Sequence, residues 1–115
     1  GRTEAMPNIT DNVSFDTVAR EWRAKWVESP EALTAMQALL DSKLEELKAV
    51  DGCKSVQRVV CGGCFDFKII TSVEAEKFGA FEASGFAGEE AFLKALSEIP
   101  GVTLVETQTF TLMTL

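Results

Sequence analysis

The sequence predicts an α+β domain: a four-stranded antiparallel sheet with two helices on one face, in the order βαββαβ. Three observations predict it. Two stretches have helical period, and each stops at a glycine ahead of a β-branched run. A hairpin pattern stands between them. The two halves also match one another at a fixed offset of 49 residues: Leu44 falls on Leu93, Leu47 on Leu96, Val50 on Ile99, Gly52 on Gly101 and Val56 on Val105. Self-similarity at fixed spacing marks two copies of one supersecondary unit, here strand–helix–strand. Two copies give the split βαβ, or ferredoxin-like, arrangement.

Each element follows in chain order. Residues 1–14, GRTEAMPNITDNVS, show no period and read as an N-terminal arm, which leaves 15–115 as the folding domain. Residues 15–27 fit either a helix or a strand. Val18, Trp22, Ala24 and Trp26 share one strand face, and the first repeat needs a strand over 17–27. Ser29 is a cap candidate, Pro30 suits the first helical position and Glu31 the first turn. Leu33, Met36, Leu40, Leu44 and Leu47 then form one apolar stripe, which Asp51-Gly52 stops.

Lys54–Cys61 reads as a strand and Gly62-Gly63 as a two-residue hairpin turn, with both glycines free to take positive φ. Cys64–Ile70 returns with Phe65, Phe67 and Ile69 facing one way, Asp66 and Lys68 the other. Residues 73–98 are helical but interrupted around Ser84-Gly85 and Gly88, and Pro100-Gly101 ends them. Val102–Leu115, rich in threonine and β-branched residues, reads as a long last strand.

Composition limits the chemistry. The 115 residues carry 11 basic and 18 acidic side chains, a formal charge of −7, with no histidine and no tyrosine. Histidine-based catalytic triads, haem ligation and zinc sites are thereby excluded. The acidic balance argues against nucleic acid as a partner, since phosphates call for a basic face. No run of about 18 apolar residues is present to span a membrane. The first 15 residues lack the apolar block of a signal peptide. The chain begins Gly1-Arg2-Thr3, which suggests a processed or trimmed form. Three cysteines, Cys53, Cys61 and Cys64, do not suggest a secreted disulfide scaffold, so a reducing intracellular compartment is expected.

The sheet face turned away from the helices should carry Glu21, Arg23, Lys25, Gln57, Asp66 and Lys68, with Thr107, Thr109 and Thr111. It is either a solvated face or a polar cavity or docking surface closed by a second sheet. Arg23, Gln57, Asp66 and Lys68 are the candidates for that cavity. Asp66 with Lys68 could act as an acid/base pair if desolvated. Arg58 should lie on the core face opposite Phe67, stacking on a ring, snorkelling out at the edge, or binding an anion. Cys61-Gly-Gly-Cys64 is a candidate redox pair or simply a hairpin, and Cys53 sits too far along its strand to complete a metal site. Trp22 and Trp26 are core residues or interface anchors. No nucleotide-binding glycine pattern, catalytic set, metal site or cofactor site is identified.

LKAVDGCKSV at the end of the first helix, the strand FDFKII, and SVEAEKFGAFEASGFAGEEAFLKAL ahead of the last strand give a resemblance to the dimeric α/β-barrel families. These include the stress-responsive A/B-barrel domain. The resemblance covers about residues 17–113. It implies two ferredoxin-like subunits packed sheet against sheet. Members include cofactor-independent monooxygenases, isomerases, haem-degrading enzymes and proteins of no known activity. The histidine and tyrosine positions of catalytic members have no counterpart here. CKSVQRVVCGGC and VETQTFTL resemble small algal plastid accessory subunits of photosynthetic complexes, which would imply a plastid location after loss of a transit peptide.

The leading expectation is therefore a non-catalytic accessory subunit. Its arm, tryptophans, polar sheet face and apolar end Leu112-Met113-Thr114-Leu115 would bind other proteins in a larger assembly. The alternative is a homodimeric α/β barrel that binds a small molecule or acts as a cofactor-independent monooxygenase or isomerase.

Overall fold

The structure is a computed structural model that describes residues 7–115. A short hairpin comes first, β1 (Asn8–Thr10) with β2 (Val13–Ser14), and Phe15 N donates to Pro7 O at 3.0 Å. This hairpin is formed from the second half of the expected arm; the first half, residues 1–6, lies outside the described residues.

The main sheet holds β3 (Thr17–Trp26), β4 (Cys53–Cys61), β5 (Asp66–Glu74) and β6 (Val102–Leu112), all antiparallel, in the order β4-β5-β3-β6. Helix α1 (Pro30–Lys48) joins β3 to β4. A 3₁₀ turn, α2 (Phe78–Ala83) and α3 (Glu89–Ser97) join β5 to β6. This is the predicted ferredoxin-like α+β fold. The two strand–helix–strand units interleave, so β3 and β5 lie at the centre and β4 and β6 at the edges. The repeat is visible in the backbone as well. Gly52 and Gly101 each follow a helix with left-handed φ, 83° and 90°. At Gly101 an added Cβ would stand 2.8 Å from Val27 Cγ2, so glycine serves both the turn and the close approach.

Proline at the first helical position starts α1, and Ser29 before it is extended. The Ser29 hydroxyl donates to Glu31 Oε2 at 2.7 Å instead of capping the helix. The second helical region starts later than the sequence suggests. Val73 is fully buried and pairs with both Val18 and Cys53, so the strand runs on to Glu74. The interruption expected around Gly85 and Gly88 is a left-handed turn. Gly85, Phe86, Ala87 and Gly88 all have positive φ, and Glu89 N donates to Gly85 O at 3.2 Å.

Two expectations for the strands are corrected. Cys61 pairs with Asp66, so the hairpin loop has four residues, 62–65, rather than two. Its left-handed residue is Phe65, with φ 56°, not either glycine. The reason is packing: Phe65 leaves the strand to set its ring edge-on to Trp26 at 5.5 Å. The threonines of β6 also change face. Arg23 pairs with Glu106 but Lys25 pairs with Thr103, so Leu104 and Val105 together oppose Ala24 in a bulge. One extra residue flips the parity of the strand. Val102 faces the helices, and beyond the bulge Thr107 and Thr109, opposite Trp22 and Arg20, share that inward side.

The core lies between sheet and helices. Trp22, Trp26, Phe67 and Ile69 meet Met36, Leu40 and Leu47 of α1 and Phe92 and Leu96 of α3. Val18, Val73, Phe78 and Phe81 form a second cluster at one end. Burying each such side chain contributes about 1.5–3 kcal/mol. Trp22 and Trp26 are only 2% and 7% exposed, which makes them core residues rather than anchors for a partner. Among the described residues no helix is long and apolar enough to cross a membrane.

Candidate functional site

Among the described residues the helices pack on one face of the sheet, and the terminal residues Leu112–Thr114 border one end of the other. Strand alternation places Lys25, Arg23 and Glu21 of β3 there, beside Asp66, Lys68 and Ile70 of β5. At the end of the face nearest the β4–β5 hairpin lies a cleft of about 190 Å³. Arg23, Lys25, Asp66, Lys68, Leu104 and Glu106 line it. Three of the four sequence candidates, Arg23, Asp66 and Lys68, meet here. Gln57 does not. It sits on edge strand β4 opposite Ile70 and lines a separate hollow of about 220 Å³ with Ser72 and the terminal residues Leu112–Thr114.

Lys25 Nζ donates to Asp66 Oδ1 at 2.7 Å and to Cys64 O at 3.1 Å. The Lys25 hydrogen bond, helped by the nearby charges of Lys25, Lys68 and Arg23, holds the Asp66 carboxyl below the usual carboxylate range. Asp66 therefore stays ionised at neutral pH, which suits charge pairing and makes it a weak general base. Arg23 approaches Glu106 at 3.7 Å and Glu21 at 3.8 Å, too far for hydrogen bonds. Lys68, directly across the strands from Arg23, has no ion-pair partner among the described residues.

Glu21 was legible as a residue of this face but not as a singular one. It is only 5% exposed, and its Oε2, 3.8 Å from the Nε of Arg23, has no hydrogen-bond partner; nor has that buried Nε. Leu104 and Glu106 were missed because only the bulge brings them to the cleft.

A second polar cluster lies on the helix face and was also missed. Glu89, the first residue of α3, accepts from Arg20 Nε at 2.7 Å, Arg20 Nη2 at 2.9 Å and Trp22 Nε1 at 2.6 Å. Arg20 also donates to Thr109 at 2.9 Å and Thr107 at 3.0 Å, and its guanidinium lies 4.2 Å from the centre of the Phe86 ring. The Glu89 hydrogen bonds push the Arg20 pKa higher still. The available signal was parity: Arg20 stands between Val18 and Trp22 on the inward side of its strand, where a charge needs a partner. The cluster fastens α3 to β3 and β6.

Cys61 and Cys64 form a disulfide with Cα atoms 5.5 Å apart, on the loop that Lys25 holds. Cys53 is free at the far end of β4, and burial pushes its thiol pKa up, away from the reactive thiolate. Arg58 pairs across from Ile69, not Phe67. It donates to Gln37 of α1 at 2.7 Å, so it reaches out at the edge rather than stacking on a ring. Among the described residues no three His, Cys, Asp or Glu side chains are grouped to hold a metal ion.

No family model matches the chain, and no curated protein matches it in sequence. Solved structures match it in shape. One is a protein assigned as an antibiotic biosynthesis monooxygenase from Deinococcus radiodurans, with TM-score 0.65 and 17% identity over 85% of this chain and 94% of that one. SnoaB, a cofactor-independent oxygenase from Streptomyces nogalater, gives 0.59 and 14% over 87% and 96%. The monooxygenase ActVA-Orf6 of Streptomyces coelicolor, solved with nanaomycin D, gives 0.59 and 19% over 88% and 90%. These likenesses show the ferredoxin-like α+β fold. They also correct the leading expectation from sequence. These three chains of the same shape are monooxygenase-type proteins by name, which overturns the photosynthetic accessory-subunit reading and its larger assembly.

Proposed function

We propose that the chain is a homodimeric α/β-barrel protein of the monooxygenase type, which binds a small molecule at the open face of its sheet under a second copy of itself. Glu21 carries this reading. A buried carboxylate with an unpartnered oxygen is costly unless something supplies a donor. A second copy packed on this face would supply one. The same face presents Val59, 43% exposed, and Leu112, 40% exposed, which are ready apolar contacts for a second sheet. The shared shape with SnoaB and ActVA-Orf6 supports the small-molecule part of the reading.

With no histidine or tyrosine, proton movement would fall to carboxylates and lysines. Asp66, held ionised, is better placed to bind than to abstract a proton. The test is light scattering on the purified chain together with oxygen uptake and binding assays using nanaomycin D as a first probe. A species of twice 12.5 kDa that binds the probe is expected. A monomer at micromolar concentration overturns the dimer, and failure to bind this or any screened small molecule overturns the binding role.

A further inference from the structure

Three features converge on the cleft at the hairpin end of the open face. Arg23 and Lys68 stand directly opposite one another on neighbouring strands. Like charges in that position repel. Among the described residues neither side chain donates a hydrogen bond, and the Nε of Arg23 is buried without a partner. In a chain of net charge −7, two cations are thus held face to face, Arg23 with Glu106 and Glu21 at 3.7 and 3.8 Å and Lys68 with no ion-pair partner among the described residues. The second feature is the β6 bulge, which puts Leu104 at φ 52°, a left-handed conformation that leucine adopts only under constraint. The third is where that constraint leads: Leu104 is 62% exposed at the rim of the cleft, an apolar side chain held beside a charged floor.

We infer that this cleft binds a small organic acid, its carboxylate clamped between Arg23 and Lys68 and its apolar body against Leu104. The inference rests on the small-molecule reading above and names the class of ligand. An anion between the two cations would turn their repulsion into two charge-assisted hydrogen bonds. Lys25 is already engaged by Asp66 and Cys64, so it frames the site without competing for the anion. Glu106 and Glu21 pair with Arg23 at 3.7 and 3.8 Å, beyond hydrogen-bond distance, so their hold on it is charge alone. A cleft of about 190 Å³ is smaller than the roughly 300–1,000 Å³ of usual ligand pockets. It suits a compact acid, with a second sheet as its far wall.

The test is calorimetric titration of the full chain with benzoate and with neutral, isosteric benzamide at low salt, with light scattering on the same samples. Benzoate should bind at least tenfold more tightly than benzamide. Lys68→Gln and Arg23→Gln should each weaken benzoate binding tenfold or more; Lys68→Gln should leave the melting temperature equal or higher, because repulsion is relieved, whereas Arg23→Gln should lower it, because Glu21 and Glu106 lose their ion pair. Leu104→Gly should weaken benzoate several-fold and spare the preference over benzamide. Equal binding of the two probes, undiminished benzoate binding in Lys68→Gln, or no benzoate binding overturns the inference. A dimer that binds nanaomycin D but not benzoate keeps the function proposed above and loses this ligand class. A monomer that binds benzoate through Lys68 does the reverse.

Discussion

One sheet presents two faces, and they treat charge in opposite ways. On the helix face, the Arg20 guanidinium meets Glu89, Thr107, Thr109 and the Phe86 ring, and Glu89 also takes the Trp22 N–H. Every polar group there is paired from within the chain. On the open face, Glu21 and Arg23 form a 3.8 Å ion pair without a hydrogen bond, and Arg23 faces Lys68, which has no ion-pair partner among the described residues. The same strand, β3, supplies both sets, with Arg20 and Trp22 on one side and Glu21 and Arg23 on the other. The first face is finished by folding. The second leaves hydrogen-bonding atoms of Glu21 and Arg23 unmatched.

The contrast can be broken at either face. The largest effect is expected from Phe92→Ala, because Phe92 is buried and stacks on Trp22 at 4.6 Å. Denaturant titration should show a loss of about 3–5 kcal/mol. Next is Glu89→Ala, which strands Arg20 and the indole N–H; about 1.5–3 kcal/mol should be lost, as for hydrogen bonds to charged groups.

Glu21→Gln should behave differently. Monomer unfolding should be nearly unchanged, since the Glu21 Oε2 makes no hydrogen bond and its ion pair with Arg23 is long. The dimer dissociation constant should rise about tenfold, a change of about 1.4 kcal/mol. If Glu21→Gln instead destabilises the monomer as much as Glu89→Ala does, the contrast between the faces collapses. Leu104→Gly should stabilise the fold by about 0.5–1 kcal/mol, the left-handed strain relieved less the entropy of glycine.

The smallest effect concerns acid. The folded pKa of Asp66 is lowered, chiefly by the Lys25 hydrogen bond, so its contribution to stability is present above the ordinary carboxylate pKa of about 3.9 and is lost as the pH falls through the folded value. Asp66→Asn should flatten the acid-side slope of a stability–pH curve and leave the neutral region nearly unchanged.

Much of the architecture was legible because it rests on local periodicity. The α1 stripe, the two stopping glycines and the 49-residue offset all lie in the order of residues, and Leu47 and Leu96 are indeed buried counterparts. The assignment of β3 as a strand came from the repeat, since its apolar spacing fits a helix equally well. What escaped depends on single insertions or distant partners. Leu104 carries no glycine signal for a bulge, so Thr107 and Thr109 were assigned to the wrong face. Phe65 left its strand to meet Trp26, a contact that alternation cannot reveal. Arg20 and Glu89 stand 69 residues apart, and nothing local joins them. On the open face, residue types were readable, but the burial of Glu21 and the opposition of Arg23 to Lys68 required the register of β3 on β5.

The pairing of β3 with β6 also bears on how the chain comes to be folded. Thr17 meets Leu112 and Trp26 meets Val102, so a strand at the centre of the sheet has its neighbour at the far end of the sequence. Pairing so remote in sequence makes closure slow. As the chain leaves the ribosome, β3, α1, β4 and β5 can assemble while one side of β3 stays bare. For that interval the nascent protein exposes a ten-residue edge, an open template for pairing with another chain. Yield in the cell should therefore depend on how quickly the last eleven-residue strand follows, and on what shields that edge in the meantime.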